Sequence, residues 1–255
     1  MISAALICCT AAQQATQPRA QQPAGDDSTQ QAERTAQATI NWDKSSTPGT
    51  HVTVEMIRRG EVNGRVAMDF RVKVDGAPHD QRYNLVVWPI TDANPTPMMD
   101  GLAIRQDGIV YCPADSTGSC AERIKGNELH LTYMPELGEI YRQAMISADQ
   151  KSRIFFSFVP TPIVESEKNC SLEAVRLGPA FELAIIRGRG FAPGEELAFH
   201  TQSYQEVHNA QVKADAQGQF QASVTPFVKG HTTGTLEVSV KGRTCSPKIS
   251  FNWGL

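Results

Sequence analysis

The residues of this 255-residue chain able to do chemistry are six cysteines, six histidines, a few paired carboxylates and a cluster of glycines. Cys8 and Cys9 lie in an apolar N-terminal stretch, which leaves Cys112, Cys120, Cys170 and Cys245 for the folded part. Four cysteines allow three pairings. Zinc would call for close pairs such as C-x-x-C, which are absent, and no histidine neighbours Cys170 or Cys245 in sequence. Disulfides are therefore expected, and with them a compartment outside the reducing cytoplasm. A division of the chain near residue 163 favours Cys112–Cys120 and Cys170–Cys245, because each bond then stays on one side of it.

The histidines are His51, His79, His130, His200, His208 and His231, and no H-E-x-x-H occurs. His200 and His208 stand eight apart across an expected turn, so both could approach Glu206; even so, no metal site is expected. No G-x-S-x-G is present, the cysteines are engaged, and no catalytic residue is assigned. Glu136/Glu139 and Glu195/Glu196 read as solvated carboxylates of polar loops. Gly188, Gly190 and Gly194 follow a G-x-G-x-x-x-G spacing, but Pro193-Gly194 stands where a phosphate site would need a helix N-terminus. They read as a turn, and no cofactor is expected. Tyr83, Trp88 and Trp253 are the candidate binding aromatics, able to stack on sugars or fill a partner's pocket if exposed; core packing is the competing reading. Trp42 is placed as a cap on the first domain. A free edge strand offers a further binding mode, β-augmentation, that leaves no trace in sequence.

Formal net charge is −3 and charged residues make up 20% of the chain, so no basic excess points to nucleic acid. Residues 1–12 resemble the end of an export signal without its basic n-region. Leu6-Ile7-Cys8-Cys9 also resembles a bacterial lipobox, which makes Cys8 and Cys9 the candidate lipidation sites and a lipid anchor the one expected membrane contact. No other segment approaches a membrane-spanning length. Residues 13–40, rich in Ala and Gln, cannot bury enough surface to offset their ordering entropy and are expected to form a disordered tether.

From residue 51 the apolar period becomes two. Val66, Met68, Phe70, Val72 and Val74 define a core face, and Ala67, Asp69, Arg71 and Lys73 a wet one. Further strands are expected at 51–58, 83–90, 101–111, 128–133, 140–148 and 153–159, with one short helix around 134–141. Val159-Pro160-Thr161-Pro162-Ile163 reads as a linker and 164–169 as a polar hinge. Seven strands then follow, at 171–177, 180–188, 196–203, 208–215, 219–225, 234–241 and 247–253. The expected fold is all-β: a β-sandwich over 41–163 and an immunoglobulin-like β-sandwich over 164–255. Phe191 is expected to plug the open end of the second.

Ile185-Ile186-Arg187-Gly188-Arg189-Gly190-Phe191-Ala192-Pro193-Gly194-Glu195 resembles the G-x-G-F-x-P-G-E stretch of bacterial surface immunoglobulin-like domains, including the IPT/TIG group. Tyr141-Arg142-x-Ala144-x-Ile146-Ser147-x-Asp149, Val159-Pro160-x-Pro162-Ile163 and Cys170 together resemble a family of exported bacterial two-domain proteins with no known chemistry. The resemblance implies fold and export and carries no catalytic residue. The expected function is a non-catalytic binding or structural module, secreted or associated with the cell envelope in the periplasm, on the outer surface or outside the cell. Its expected partner is a protein or carbohydrate there. The alternative is an enzyme, or its accessory subunit, acting on extracellular polysaccharide or peptide through residues gathered from separate strands.

Overall fold

The computed structural model describes residues 42–88, 95–178 and 182–254. The signal-like segment, the tether, and Cys8 and Cys9 lie outside the described residues. Apart from a 3-10 turn at Trp42–Ser45 and a short helix α1 (Cys120–Ile124), the regular structure is strand, and every ladder is antiparallel.

The first eight strands are β1 (His51–Val62), β2 (Arg65–Asp75), β3 (Tyr83–Trp88), β4 (Thr96–Ile104), β5 (Val110–Tyr111), β6 (His130–Tyr133), β7 (Tyr141–Ser147) and β8 (Arg153–Phe158). They form two sheets, in the orders β1-β2-β6 and β5-β4-β3-β7-β8, that enclose one core. Met68, Phe70, Val72 and Val74 point into it, as the alternation predicts, against Tyr83, Leu85, Met145 and Ile154. The same alternation predicts that Ala67 and Asp69 are wet, yet both are buried. Asp69 is covered because its neighbours reach over it: Thr132 of β6 donates its hydroxyl at 2.8 Å, and Arg58 of β1 donates at 2.7 Å. The Thr132 hydrogen bond, followed by Arg58, holds this carboxyl below its usual range. Val66, at the far end of the same core face, is exposed.

That exposure marks an arm. A bulge interrupts β1 between Met56 and Arg58, and beyond it Arg58–Val62 and Arg65–Val66 run clear of the core. Asn63 (φ 52°) and Gly64 (φ 76°) close the arm with two consecutive positive φ values, the backbone that matches strand twist in a two-residue hairpin.

The remaining strands are β9 (Ile163–Glu167), β10 (Cys170–Arg176), β11 (Ala184–Arg189), β12 (Glu196–Ser203), β13 (Glu206–Lys213), β14 (Phe220–Val224), β15 (Thr233–Lys241) and β16 (Lys248–Gly254). They build a second pair of sheets, β14-β11-β10-β9 and β13-β12-β15-β16, around a core that includes Leu172, Ile186, Leu197, Phe199, Val238 and Ile249. Phe191 is 5% exposed, belongs to this core, and packs on Phe220 with ring centroids 5.6 Å apart. Gly188 of β11 is a glycine because the Phe220 ring occupies the place of its side chain; a Cβ there would lie 1.9 Å from a ring carbon.

Two expectations are corrected at the junction. Residues 134–141 form no helix; the chain there makes turns between β6 and β7. The polar hinge expected at 164–169 is instead mostly strand, β9, paired with β10 from Ile163↔Ala174 to Glu167↔Cys170, while 159–162 form no strand. The turn region docks on the start of the second sheet pair. Gly138 donates its amide to Thr161 O and accepts from the Arg176 amide, both at 2.7 Å, and Arg176 pairs with Glu136. Beneath these bonds Ile140 packs with Val175, Leu177, Leu183 and Ile185, a small core shared by the two sheet pairs.

Candidate functional site

Both expected disulfides form, Cys112–Cys120 and Cys170–Cys245. Two such bonds are characteristic of proteins that fold in an oxidising compartment. Cys120 opens α1, and Cys170 opens β10, so each bond pins the start of an element.

The candidate aromatics do not gather. Tyr83 has no exposed surface and donates its hydroxyl to Pro78 O at 2.9 Å; burial raises the pKa of that phenol. Trp253 is 4% exposed and donates Nε1 to Ser203 Oγ at 3.0 Å. Neither presents a ring face to solvent. Trp88 is half-buried on the outer face of its sheet, edge-to-face with Trp42 at 4.9 Å and beside Phe155 at 6.0 Å. Trp42 donates Nε1 to the carbonyls of Gln143 and Phe156, and Arg142 lies over its ring. These rings fasten the first described turn to the sheet.

The polar candidates separate as well. In the β12–β13 hairpin Thr201 faces His208 and His200 faces Asn209, so the two histidines project from opposite faces and do not meet at Glu206. Among the described residues no group of three or more His, Cys, Asp or Glu is placed to hold a metal ion. Glu195, read as solvated, is 4% exposed. It accepts the backbone amides of Arg243 at 2.5 Å and Ala192 at 3.0 Å, which hold its carboxyl below the usual range, the Arg243 amide most of all. Glu139 is likewise engaged, accepting from the Glu136 amide and the Tyr141 hydroxyl.

What the strands do bring together is a polar groove of about 460 Å³ on the outer face of β12, β15 and β16. Antiparallel register sets its side chains in two rows, His200–Ser239–Lys248 and Gln202–Glu237–Ser250. Glu165 of β9 joins the lining, and His200 Nδ1 lies 2.9 Å from Asn209 Oδ1 on β13. Val238 and Ile249, which also line the groove, belong to the core beneath it. Each row thus offers groups roughly 5 Å apart across the strands. Glu165, Glu237 and Lys248 form no ion pair with any described residue, so their charges are available to a ligand. Period two marks most of these positions as outward-facing. Their convergence depends on β15 lying between β12 and β16, which no single strand encodes. His200 alone among them stands out in the sequence as a candidate.

No protein-family model matches the chain, and no curated protein matches it.

Proposed function

We propose that this is an exported, non-catalytic binding module of two consecutive β-sandwich domains, 41–163 and 164–255. The second is immunoglobulin-like and carries the binding groove. Support for the division comes from the ladders: among the described residues those of β1–β8 and those of β9–β16 stay separate, joined only by an isolated bridge between Glu139 and Arg176, and the two large cores follow the same split. Support for export comes from the two disulfides; Cys8 or Cys9 is the candidate anchor to the envelope.

The observation that carries the binding role is the groove. Its imidazole, amide, carboxylate, hydroxyl and ammonium groups hang from three hydrogen-bonded strands, so they are prepositioned and little ordering entropy opposes binding. Such a lining suits a polar, extended ligand, either a protein segment or an envelope polysaccharide, held by hydrogen bonds. With Tyr83 and Trp253 buried, stacking makes no part of this reading. Soluble peptidoglycan fragments and a library of polar peptides, titrated into isotope-labelled protein, test it. Amide shifts should cluster at His200, Gln202, Glu237 and Lys248, and Glu237→Ala with Lys248→Ala should weaken binding at least about tenfold, as expected for lost charged hydrogen bonds. Shifts confined to another face would reject the groove as the site.

The enzyme alternative draws on one observation, that Glu165 and Glu237 line the same groove. Turnover of those fragments that stops on Glu237→Gln while binding persists would favour it.

A further inference from the structure

The arm formed by β1 and β2 has no role in the groove, yet it is where exposed apolar surface concentrates. Of ten large hydrophobic residues exposed among the described residues, Val62 and Val66 lie on it, and Met56 and Ile57 lie at the bulge where it begins. Among the described residues β1 has β2 as its only ladder neighbour, so its outer edge presents amides and carbonyls unpaired by any described strand. Past the bulge, Arg58 to Val62 keep an unbroken register with β2 and offer a straight template.

We propose that this edge pairs with the same edge of a second copy of the chain, antiparallel, about a two-fold axis through Gly60. A two-fold perpendicular to a sheet relates two antiparallel strands only in registers where facing residues share a face. In a regular strand these are the registers in which the two residue numbers add to an even sum. Centred on Gly60, the register sets Arg59 opposite the partner's Glu61 and Glu61 opposite the partner's Arg59, with Arg58 opposite the partner's Val62. Arg59 and Glu61 are both exposed and neither forms an ion pair with a described residue. No atom lies within 4 Å of where a Cβ on Gly60 would sit, so the axis is sterically open. The product is a continuous six-stranded sheet, β6-β2-β1 and its symmetry mate, in which the Arg58–Val62 stretch of each β1 edge is paired.

The other long edge strand supplies a contrast. β13 also carries opposite charges at its ends, Glu206 and Lys213, but they face each other only in a register of odd sum. That register turns facing side chains to opposite faces and does not close under a two-fold.

Sedimentation of the full chain over a dilution series, in low and high salt, tests the pairing. The wild type should form a dimer that salt weakens. Arg59→Glu and Glu61→Arg should each be monomeric, with circular dichroism unchanged and the same melting midpoint as the wild type at dilutions where it too is monomeric, because both side chains are exposed. An equimolar mixture of the two variants should regain the dimer mass, since each chain then again sets opposite charges across the axis. A wild type monomeric throughout the series overturns the proposal. So does a dimer indifferent to both reversals, or a mixture that stays monomeric.

Discussion

Glu195 illustrates at the scale of one residue how a carboxylate that looks solvated in sequence becomes a structural part. It sits at the turn leading into β12 and takes the amides of Arg243 and Ala192 from two loops. With its folded pKa held below the unfolded value of about 4.3, it adds stability above that pH, and the contribution is lost as pH falls through the folded value. Glu195→Gln should lower the melting midpoint at neutral pH, and its deficit should shrink as pH falls through the wild type's folded value, where the wild type loses the same interaction. A deficit that stays constant in acid would show that shape and not charge is what the site needs. Phe191, one turn away, acts through volume. Truncation to Ala removes a buried ring that packs on Phe220 and should cost about 3–5 kcal/mol, read from denaturant unfolding. An unchanged midpoint would place Phe191 at the surface.

At the scale of the element, the turn between β11 and β12 separates two glycines that look alike in sequence. Gly190 has φ +83°, and a Cβ on it would lie 1.9 Å from the carbonyl oxygen of Asn169. Gly194 has φ +69° with open space around it. Gly194→Ala therefore loses only backbone conformational energy, roughly 1–2 kcal/mol, whereas Gly190→Ala must also displace the β9–β10 turn and should be clearly worse. Thermal melts of the two variants make the comparison, and equal losses would refute the close approach. Most strands are legible in the sequence for a simple reason: each has one face on a core, and the period-two pattern of β2, β12 or β15 records it. β9 is not, because Val164-Glu165-Ser166-Glu167 lies on a sheet edge with only Ile163 packed, which leaves a polar run that reads as a hinge. α1 leaves no signal because five residues with one buried side chain, Cys120, set up no helical period. Separation alone suggests that His200 and His208 could meet, whereas a two-residue hairpin loop sends residues eight apart to opposite faces. The groove is illegible for want of strand order.

For the whole molecule, the shared core around Ile140 decides whether the two sheet pairs act as one body. Ile140 is 2% exposed and contributes its side chain from the first half to a cluster otherwise built mainly by β10, β11 and their connecting turn. Ile140→Ala should cost about 2–5 kcal/mol. More tellingly, a single calorimetric transition in the wild type should broaden or split in two, because the contact that couples the halves is weakened while each main core stays intact. A transition that remains single and merely shifts would mean that the hydrogen bonds of Gly138 and Arg176 suffice for coupling. With β9 consumed by a sheet, the stretch without regular structure between β8 and β9 is cut to 159–162.

The Cys170–Cys245 bond also governs how the chain bears load. The bond encloses 75 residues of separation, and β12 and β15 lie inside that loop while β16 lies outside it. Tension applied to the two ends of the polypeptide passes through the sulfur atoms and skips the loop. Two of the four strands that line the groove, β12 and β15, are thereby shielded from pulling, while β16, with Lys248 and Ser250, and β9, with Glu165, stay in line with the force. A ligand held in the groove would then feel a tug on the chain through β9 and β16, each on the outer edge of its sheet, while β12 and β15 stay in place.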